Sequence, residues 1–327
     1  FDGSSSTGAS VLTWSFGDGK RAGVARAPHV FAEPGSYEVT LAVRSASGAR
    51  AEAKHTVQVT AGPAAEGEGE IIVEVHDSLG SVIPGASVKT KLGEHTTDDK
   101  GRATVRLPRG PATMLWVTHP SFASQARRVH LESEGELSEG SRYRVVMIQR
   151  AAAQTVPNVE AGAVIESADG AKLTLPKNAL IDASGKPVTG TVQVALTPLD
   201  TPATPFAFPS EIEAVDENQA SVALASYGVV EVEISQNGQR LDLAEGVRAT
   251  LDIPIYATET ALGEPLELGG SIPLWSLDEA TGLWIQEGEG TIVAGSSHAG
   301  FALRSSLGHF SWWNCDAPFP TKKRRFK

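Results

Sequence analysis

The feature that most limits the fold of this chain is the recurrence of short segments in which apolar and polar residues alternate. Residues 37–43 (YEVTLAV) place every second side chain, from Tyr37 to Val43, on one face of an extended strand, and comparable segments recur along the whole chain. Gly, Pro, Asn and Asp separate these segments, and no window keeps an amphipathic helical pattern over three turns. The pattern predicts an all-β protein built from many short strands.

The length of 327 residues exceeds one ordinary domain of roughly 100–150 residues. Two runs, 62–70 (GPAAEGEGE) and 151–158 (AAAQTVPN), have little to bury and indicate linkers. We therefore expect three β-sandwich modules in series, at 1–61, 71–150 and 159–320, followed by a basic tail at 321–327. Short linkers between such modules predict a semi-rigid, monomeric rod.

Strands are expected at the spacing of a sandwich in both larger modules. In the second module they fall near 71–75, 84–90, 103–107, 113–119, 125–131 and 142–148. In the third they fall near 163–166, 171–175, 190–197, 227–234, 247–255, 272–276, 283–287 and 300–304. The interval 198–222 holds four prolines and little alternation, which indicates an extended connection of the kind that carries binding surfaces.

Charge argues against nucleic acid as a partner. Residues 151–320 hold six Lys or Arg against 22 Asp or Glu, so this segment carries a net charge of −16 and repels phosphate. The tail TKKRRFK (321–327) is basic, but a terminal charge run is usually solvated. No stretch of about 18 apolar residues is present, so we expect no transmembrane segment in this piece. Because the chain begins at Phe1, we expect it to be part of a longer polypeptide, with any signal or anchor outside it.

The first 59 residues carry a recognisable set of motifs: FDGSSSTG (1–8), LTWSFGDG (12–19), PHVFAEPGSYEVTLAV (28–43) and TVQV (56–59). They resemble a polycystic-kidney-disease (PKD) domain, which implies an extracellular immunoglobulin-like sandwich. Some relatives bind calcium near positions that correspond to Asp2 and Asp18, so Ca²⁺ is one interpretation of these residues. The favoured interpretation of Asp18 is a turn-capping aspartate between two glycines.

Two segments of the second module, VEVHDSLGSVIPGASV (73–88) and TTDDKGRATVRLPRG (96–110), resemble the carboxypeptidase regulatory-like, transthyretin-like sandwich. The resemblance implies a module that accompanies secreted enzymes and receptors without catalysing a reaction. Asp98 and Asp99 are adjacent and could be interpreted as a metal pair. A Thr-Asp-x-x-Gly turn, in which Asp98 accepts backbone N–H groups and Gly101 is left-handed, is favoured.

The third module carries GAVIESADGAKLTLPKNAL (162–180), GKPVTGTVQVALTPLD (185–200), LASYGVVEVEIS (224–235), LWSLDEATGLWIQEG (274–288) and GHFSWWNCD (308–316). Residues 158–316 are similar to the sandwich region of cartilage intermediate layer proteins and, distantly, to the ZU-five domain. The resemblance implies no catalytic activity. Trp275 and Trp284 flank a turn ending at Gly282, so we expect a hairpin in which the two tryptophans pack near each other.

Motifs for reactive chemistry are missing from the sequence. The eight histidines show no metal-binding spacing, and no GxSxG, Walker or GxGxxG motif occurs. We therefore expect no catalytic, cofactor or metal site and no enzyme activity. The single cysteine, Cys315, is either a buried small hydrophobe or the partner of a cysteine elsewhere in a longer chain.

The run from His309 to Cys315 is the densest aromatic cluster. In a closing strand Phe310 and Trp312 would enter the core, which is the favoured interpretation, whereas Trp313 would point the other way. Trp313 is therefore one candidate ligand contact. Phe206 and Phe208, in the connection 198–222, are the others, and a glycan or peptide is the ligand that aromatic faces would accept.

These patterns predict a non-enzymatic fragment of a secreted or cell-surface bacterial protein that serves as a stalk and an interaction or adhesion surface. The alternative is the accessory, ligand-binding region of a secreted hydrolase whose catalytic domain lies outside this sequence. A third idea is that calcium stiffens the modules.

Overall fold

The structure is a computed structural model, and it describes residues 1–3, 5–6, 11–18, 21–22, 27, 29, 31, 35–45, 49–59, 67–110, 112–131, 137–138, 140–217 and 221–318. These residues form strands, turns and two single-turn 3-10 helices, Val159–Ala161 and Pro205–Ala207. The predicted all-β class is confirmed. Within the described ranges no helix has the length and apolar character needed to cross a bilayer. The predicted basic tail 321–327 lies outside the described residues.

The N-terminal region forms one antiparallel sheet with the strand order β2-β1-β3-β4. Its strands are β1 (Val11–Ser15), β2 (Arg21–Ala22), β3 (Gly35–Arg44) and β4 (Arg50–Val59). The predicted strand 37–43 is confirmed and is longer than predicted. One face of the sheet buries Trp14, Phe16 and Val39, whereas most side chains of β4 are exposed.

The second module consists of two facing sheets, β10-β9-β6-β7 and β11-β5-β8. Its strands are β5 (Glu68–Asp77), β6 (Ser87–Thr90), β7 (Gly93–Thr96), β8 (Arg102–Pro108), β9 (Thr113–His119), β10 (Phe122–Val129) and β11 (Arg142–Met147). Alternate residues of these strands, such as Val73, Val105 and Leu115, form a closed core with no exposed surface. The six predicted strands are confirmed. Strand β7 was not predicted, because its sequence GEHT has no apolar residue and all four side chains are exposed.

The third module is dominated by one 12-stranded sheet with the main order β12-β16-β18-β25-β22-β23-β24-β21-β14-β13, to which β17 and β19 add at the side. The strands of the module are β12 (Gln154–Val156), β13 (Ala163–Glu166), β14 (Lys172–Leu175), β15 (Leu180–Ile181), β16 (Val192–Leu199), β17 (Glu213–Val215), β18 (Ser221–Gln236), β19 (Gln239–Arg240), β20 (Asp242–Leu243), β21 (Ala249–Ile255), β22 (Ser271–Asp278), β23 (Leu283–Ala294), β24 (Phe301–Leu307) and β25 (Trp312–Pro318). Strands β15 and β20 pair with each other as a separate two-stranded sheet. All eight predicted strands are confirmed.

The predicted linkers differ from the structure at two places. Strand β12 lies inside the predicted linker 151–158 and pairs antiparallel with β16. Strand β5 begins at Glu68, inside the predicted linker 62–70. An edge strand needs backbone hydrogen bonds on only one side and little apolar content, which is why the sequence of β12 did not indicate a strand. Pro157 follows β12, where its missing N–H removes no ladder bond.

The large sheet of the third module curls so that its inner face closes on itself. Strands β18 and β21 contact each other at Gly228, where an added Cβ would collide with the Pro254 carbonyl oxygen. This close approach requires glycine at position 228. The inner core includes Val230, Leu251 and Trp313, all fully buried.

The outer face of the same sheet is also covered, by the second module and by the connection after β16. We call this apolar contact the seam; it is formed chiefly by Met114, Ala123, Ala126 and Ile148 of the second module and by Phe208, Trp275, Trp284 and Trp312 of the third. Four buried residues of the N-terminal region, Trp14, Phe16, Ala27 and Val39, belong to the same hydrophobic cluster. A continuous hydrophobic cluster therefore joins the second and third modules, whereas the division of the chain into modules stays a prediction.

Candidate functional site at the seam

Strand β25 lies in the middle of the large sheet, between β18 and β22. Trp312 points to the seam and Trp313 to the inner core, as the alternation of a strand requires. Both side chains have 0% exposure. The prediction of Trp313 as a ligand contact is therefore wrong: its orientation opposite to Trp312 is as predicted, but that face is covered as well. Phe310 packs against the inner core with Trp313, rather than beside Trp312.

Cys315 follows the same alternation into the inner core, and its thiol has 0% exposure. The Sγ atom lies 3.1 Å from the Gly228 carbonyl oxygen, to which it donates a weak hydrogen bond. Burial raises the pKa of the Cys315 thiol well above its usual value. The structure thus supports the buried-hydrophobe interpretation, because a partner cysteine has no access to this sulfur while β25 stays in place.

The two phenylalanines of the connection 198–222 have different environments. Phe208 is buried (3% exposed) in the seam, with its ring centroid 5.4 Å from that of Trp284. Phe208 therefore cannot be a surface contact, which corrects the prediction. Phe206 is 41% exposed. It lies beside a cleft of about 330 Å³, which we call the aromatic cleft; its lining includes Arg127, Tyr143, Arg144, Phe206, Glu211 and Ile212.

The aromatic cleft combines apolar surface with cationic groups from two strands of the second module that belong to different sheets. Arg127 comes from β10 and Arg144 from β11, while Phe206 comes from the 3-10 helix Pro205–Ala207. Two acids, Asp2 and Glu211, also line the cleft, and Glu211 accepts a 2.9 Å hydrogen bond from the Arg128 backbone N–H. Aromatic faces and guanidinium groups together suit a ligand that has both an apolar face and an anionic or polar group. Contact of Phe206 with such a ligand stays a prediction.

A buried polar network crosses the seam beside Trp312. The Glu231 carboxylate, 2% exposed, accepts hydrogen bonds from the Ser124 backbone N–H at 3.0 Å and from Ser124 Oγ at 2.9 Å. Arg150 lies 3.3 Å from Glu231 and 3.1 Å from Glu233. Burial raises the pKa of Glu231, although Arg150 and the Ser124 donors act in the opposite direction. The Trp312 indole donates to the Ser124 carbonyl oxygen at 3.1 Å, so one residue of the second module serves two residues of the third.

A second cleft, of about 410 Å³, lies at the surface of the third module, and its polar lining includes His309, Glu287 and Ser276. A ring nitrogen of His309 is 2.8 Å from Glu287 Oε1, and Ser276 Oγ donates to the same oxygen at 2.5 Å. The hydrogen bond with Glu287 raises the pKa of His309. Burial opposes ionisation of Glu287, but the bonds from His309 and Ser276 leave its pKa below the usual value.

The order of groups in this cleft differs from that of a hydrolytic triad. In a triad the imidazole lies between the hydroxyl and the acid, so that it can accept the hydroxyl proton. Here the acid, Glu287, lies between Ser276 and His309, so the hydroxyl donates to a carboxylate and is not activated by the imidazole. Sequence reasoning missed this cluster because its members lie on three separate segments. Ser276 and Glu287 come from the paired strands β22 and β23, and His309 comes from the segment between β24 and β25.

The predicted turns and calcium positions can be compared with the structure. Asp98 Oδ1 accepts 2.9 Å bonds from the N–H groups of Lys100 and Arg102, and Gly101 has φ 69°, so the predicted turn is confirmed. Asp18 Oδ2 lies 2.7 Å from a His29 ring nitrogen. Among the residues that the structure describes, no group of three or more His, Cys, Asp or Glu is placed to hold a metal ion. Calcium binding at Asp2 and Asp18 stays a prediction.

The predicted tryptophan hairpin is present. Strands β22 and β23 pair antiparallel, with Leu277 opposite Trp284 and Trp275 opposite Gln286. Both tryptophans are fully buried in the seam cluster. Their indole N–H groups donate to the Asp316 and Glu211 carbonyl oxygens, each at 3.1 Å, which satisfies their polar atoms inside the apolar contact.

Comparison with known proteins identifies the N-terminal region. Residues 1–61 match the model of the PKD domain, which confirms the predicted resemblance of that module. The chain is also 29% identical over 145 residues to human (Homo sapiens) cartilage intermediate layer protein 2. This match covers 43% of the chain but only 12% of that protein. The transthyretin-like resemblance of the second module stays a prediction.

Among solved structures the chain is similar to bacterial pilins. The shaft pilin SpaA from Lactobacillus rhamnosus GG is 10% identical, with 58% of this chain and 88% of the pilin covered and a TM-score of 0.21. The major pilin subunit BcpA of Bacillus cereus is 13% identical, with 80% and 91% covered and a TM-score of 0.19. TM-scores this low do not show that the chain has the fold of either pilin.

Proposed function

We propose that this chain is a non-catalytic, modular region of a secreted or cell-surface bacterial protein, serving as a stalk and an interaction surface. The observation that carries the proposal is the combination of a PKD domain at 1–61 with a block of β-sandwich modules joined by a continuous seam. A PKD domain is typical of extracellular proteins. Two modules that pack against the same buried tryptophans bend less relative to each other than two modules joined only by a flexible linker. A stalk requires this resistance to bending.

Whether the second and third modules form one rigid block can be tested by measuring how cooperatively they unfold. Residues 67–318 should unfold as one unit, because separating the second module would expose Trp312 and the carboxylate of Glu231. Calorimetry of the full chain should therefore give one transition for this block, with calorimetric and van't Hoff enthalpies that agree. Two well-separated transitions, one for the second and one for the third module, would contradict the proposal.

Location has a separate test in the organism that carries the gene. Antibodies raised against the recombinant chain should label intact cells or the culture medium, and external protease should remove the label from intact cells. Labelling that appears only after the cells are permeabilised would overturn the extracellular assignment.

A second candidate function is ligand binding as the accessory region of a secreted hydrolase, and the aromatic cleft favours it. Glycan and peptide arrays probed with the full chain would test this candidate. Binding by the wild type should be lost in Phe206→Ala and retained in Leu92→Ala, which removes a similarly exposed apolar side chain (39% against 41%) outside the cleft. Equal binding by both variants, or by neither, would reject the cleft as the site.

A further inference from the structure

Three polar side chains lie together on the outer face of the large sheet, beneath the seam. We call Ser226, Asn314 and Asp316 the polar trio. Asn314 and Asp316 have 0% exposure and Ser226 is half-buried. Trp275 lies beside them, opposite Asn314 in the register of β22 and β25, and donates to the Asp316 carbonyl oxygen. The trio therefore lies in an apolar environment, where burying a polar group costs free energy unless the group is hydrogen-bonded.

The geometry links the three side chains in a chain of contacts. Ser226 and Asp316 are directly opposite each other on β18 and β25. Ser226 Oγ donates to Asn314 Oδ1 at 2.9 Å, and Asn314 Nδ2 donates to Asp316 Oδ2 at 2.5 Å. The Ser226 hydroxyl also interacts with the Asp316 carboxyl. One carboxyl group therefore contacts both the hydroxyl and the amide nitrogen.

The second oxygen of Asp316 marks the trio as more than a structural network. Asp316 Oδ1 is buried, and within the described residues no donor lies at full hydrogen-bond geometry to it, although the Tyr227 backbone N–H also interacts with this carboxyl group. A buried polar atom without a partner costs on the order of 1–3 kcal/mol and is uncommon outside reactive or strained sites. Burial also raises the pKa of Asp316 well above its usual value, which makes this carboxylate a stronger base than an exposed one.

We propose that Ser226 and Asn314 form an intramolecular ester cross-link, with Asp316 as the proton-transfer group. Ser226 Oγ attacks Asn314 Cγ while Asp316 accepts the hydroxyl proton. The new Oγ–Cγ bond forms, the Cγ–Nδ2 bond breaks, and Asp316 returns the proton to the departing nitrogen, which leaves as ammonia. The serine, the amide and the carboxyl supply every atom, so no oxidant or co-reactant is needed.

The environment of the trio favours both the formation and the persistence of such a bond. The strands hold the hydroxyl and the amide side by side, which removes most of the entropic cost of bringing them together. The seam excludes water from Asn314 and Asp316, so the ester is protected from hydrolysis. The cross-link would join β18 to β25 across 88 residues of sequence and does not depend on the proposed function of the chain.

Mass spectrometry of the intact, denatured full chain tests the proposal. The expected mass is that of the sequence minus one ammonia, and proteolysis should yield a peptide containing Ser226 joined to one containing Asn314. Mild alkali applied to the unfolded protein should add one water and leave aspartate at position 314. A folded wild-type chain with the full sequence mass would overturn the proposal.

Variants separate the ester from other losses of ammonia. Ser226→Ala and Asp316→Asn should both retain the full mass, whereas Ser276→Ala, a buried serine on the adjacent strand β22, should still lose ammonia. A succinimide at Asn237-Gly238 would give the same mass change. A loss that disappears in Asn237→Gln, with no joined peptides in the wild type, would overturn the ester. The wild-type peptide map decides the question even if a variant fails to fold.

Discussion

Strands β4 and β18 are both long, but their surroundings differ. Strand β4 pairs with β3 at the edge of the N-terminal sheet, and most of its side chains are exposed. Strand β18 pairs with β16 and β25, and the side chains on both of its faces are largely buried. The comparison teaches that a strand covered on both faces can bury polar and charged side chains, such as Ser226 and Glu231, which would be exposed to solvent on an edge strand.

The largest expected effect comes from removing an aromatic side chain from a strand covered on both faces. Trp312→Ala should lower the free energy of unfolding by about 3–5 kcal/mol, because it leaves a cavity in the seam and releases the bond to Ser124. Chemical denaturation of the full chain measures this change. The matched control is His55→Ala in β4, whose exposed side chain should change the value by less than about 0.5 kcal/mol. Similar values for the two variants would remove the distinction between the strands.

An intermediate effect is expected from the buried charge on β18. Glu231→Ala leaves Arg150 and both Ser124 donors without their acceptor and should cost about 3 kcal/mol in denaturation experiments. Glu166→Ala is the control, because its side chain is 57% exposed and its ion pair with Lys172 is long, at 3.8 Å. If Glu231→Ala were as mild as the control, the polar network would contribute nothing to the seam.

The smallest effect concerns pH at the surface cleft of the third module. Because the folded-state pKa of His309 is raised, its contribution to stability is complete below the unfolded value of about 6.5 and is lost as pH rises through the folded value. The lowered pKa of Glu287 acts oppositely: its contribution is present above about 4.3 and is lost as pH falls through the folded value.

His309→Gln should therefore reduce the loss of stability that the chain shows as the pH rises above about 6.5. Thermal unfolding midpoints of the variant and the wild type, measured across this range, test the sign. His55→Gln serves as the control, since its side chain is exposed on β4. Parallel profiles for His309→Gln and the wild type would show that the contact with Glu287 is not maintained in solution.

The alternation of apolar and polar residues was sufficient to predict most strands, because it indicates a strand with one buried face and one exposed face. It predicted β3, β9 and β21 close to their observed bounds. Among the strands that it missed, β12 and β7 lie at sheet edges and bury little, whereas β17 lies in the predicted connection 198–222 and pairs with both β18 and β23. The assumption of one open face also led to the wrong prediction for Trp313, since only the curl of the large sheet covers that side.

The candidate sites were less predictable than the strands. Phe206 and Phe208 are two residues apart, yet one lies at the surface and the other in the seam, because the segment between them turns as a 3-10 helix. The contacts of Ser226 with Asn314 and of His309 with Glu287 span 88 and 22 residues of sequence. They depend on strand order and register, which local patterns do not encode.

The residues that form the seam determine which recombinant fragments of the chain can be prepared in soluble form. A recombinant piece that begins after Arg150 would present Trp275, Trp284 and Trp312 from a sheet face that has lost part of its cover, together with a carboxylate that has lost its serine donors. An apolar area of that kind promotes self-association. The third module prepared alone should self-associate and be poorly soluble, whereas a fragment that contains residues 67–150 together with the third module should remain monodisperse.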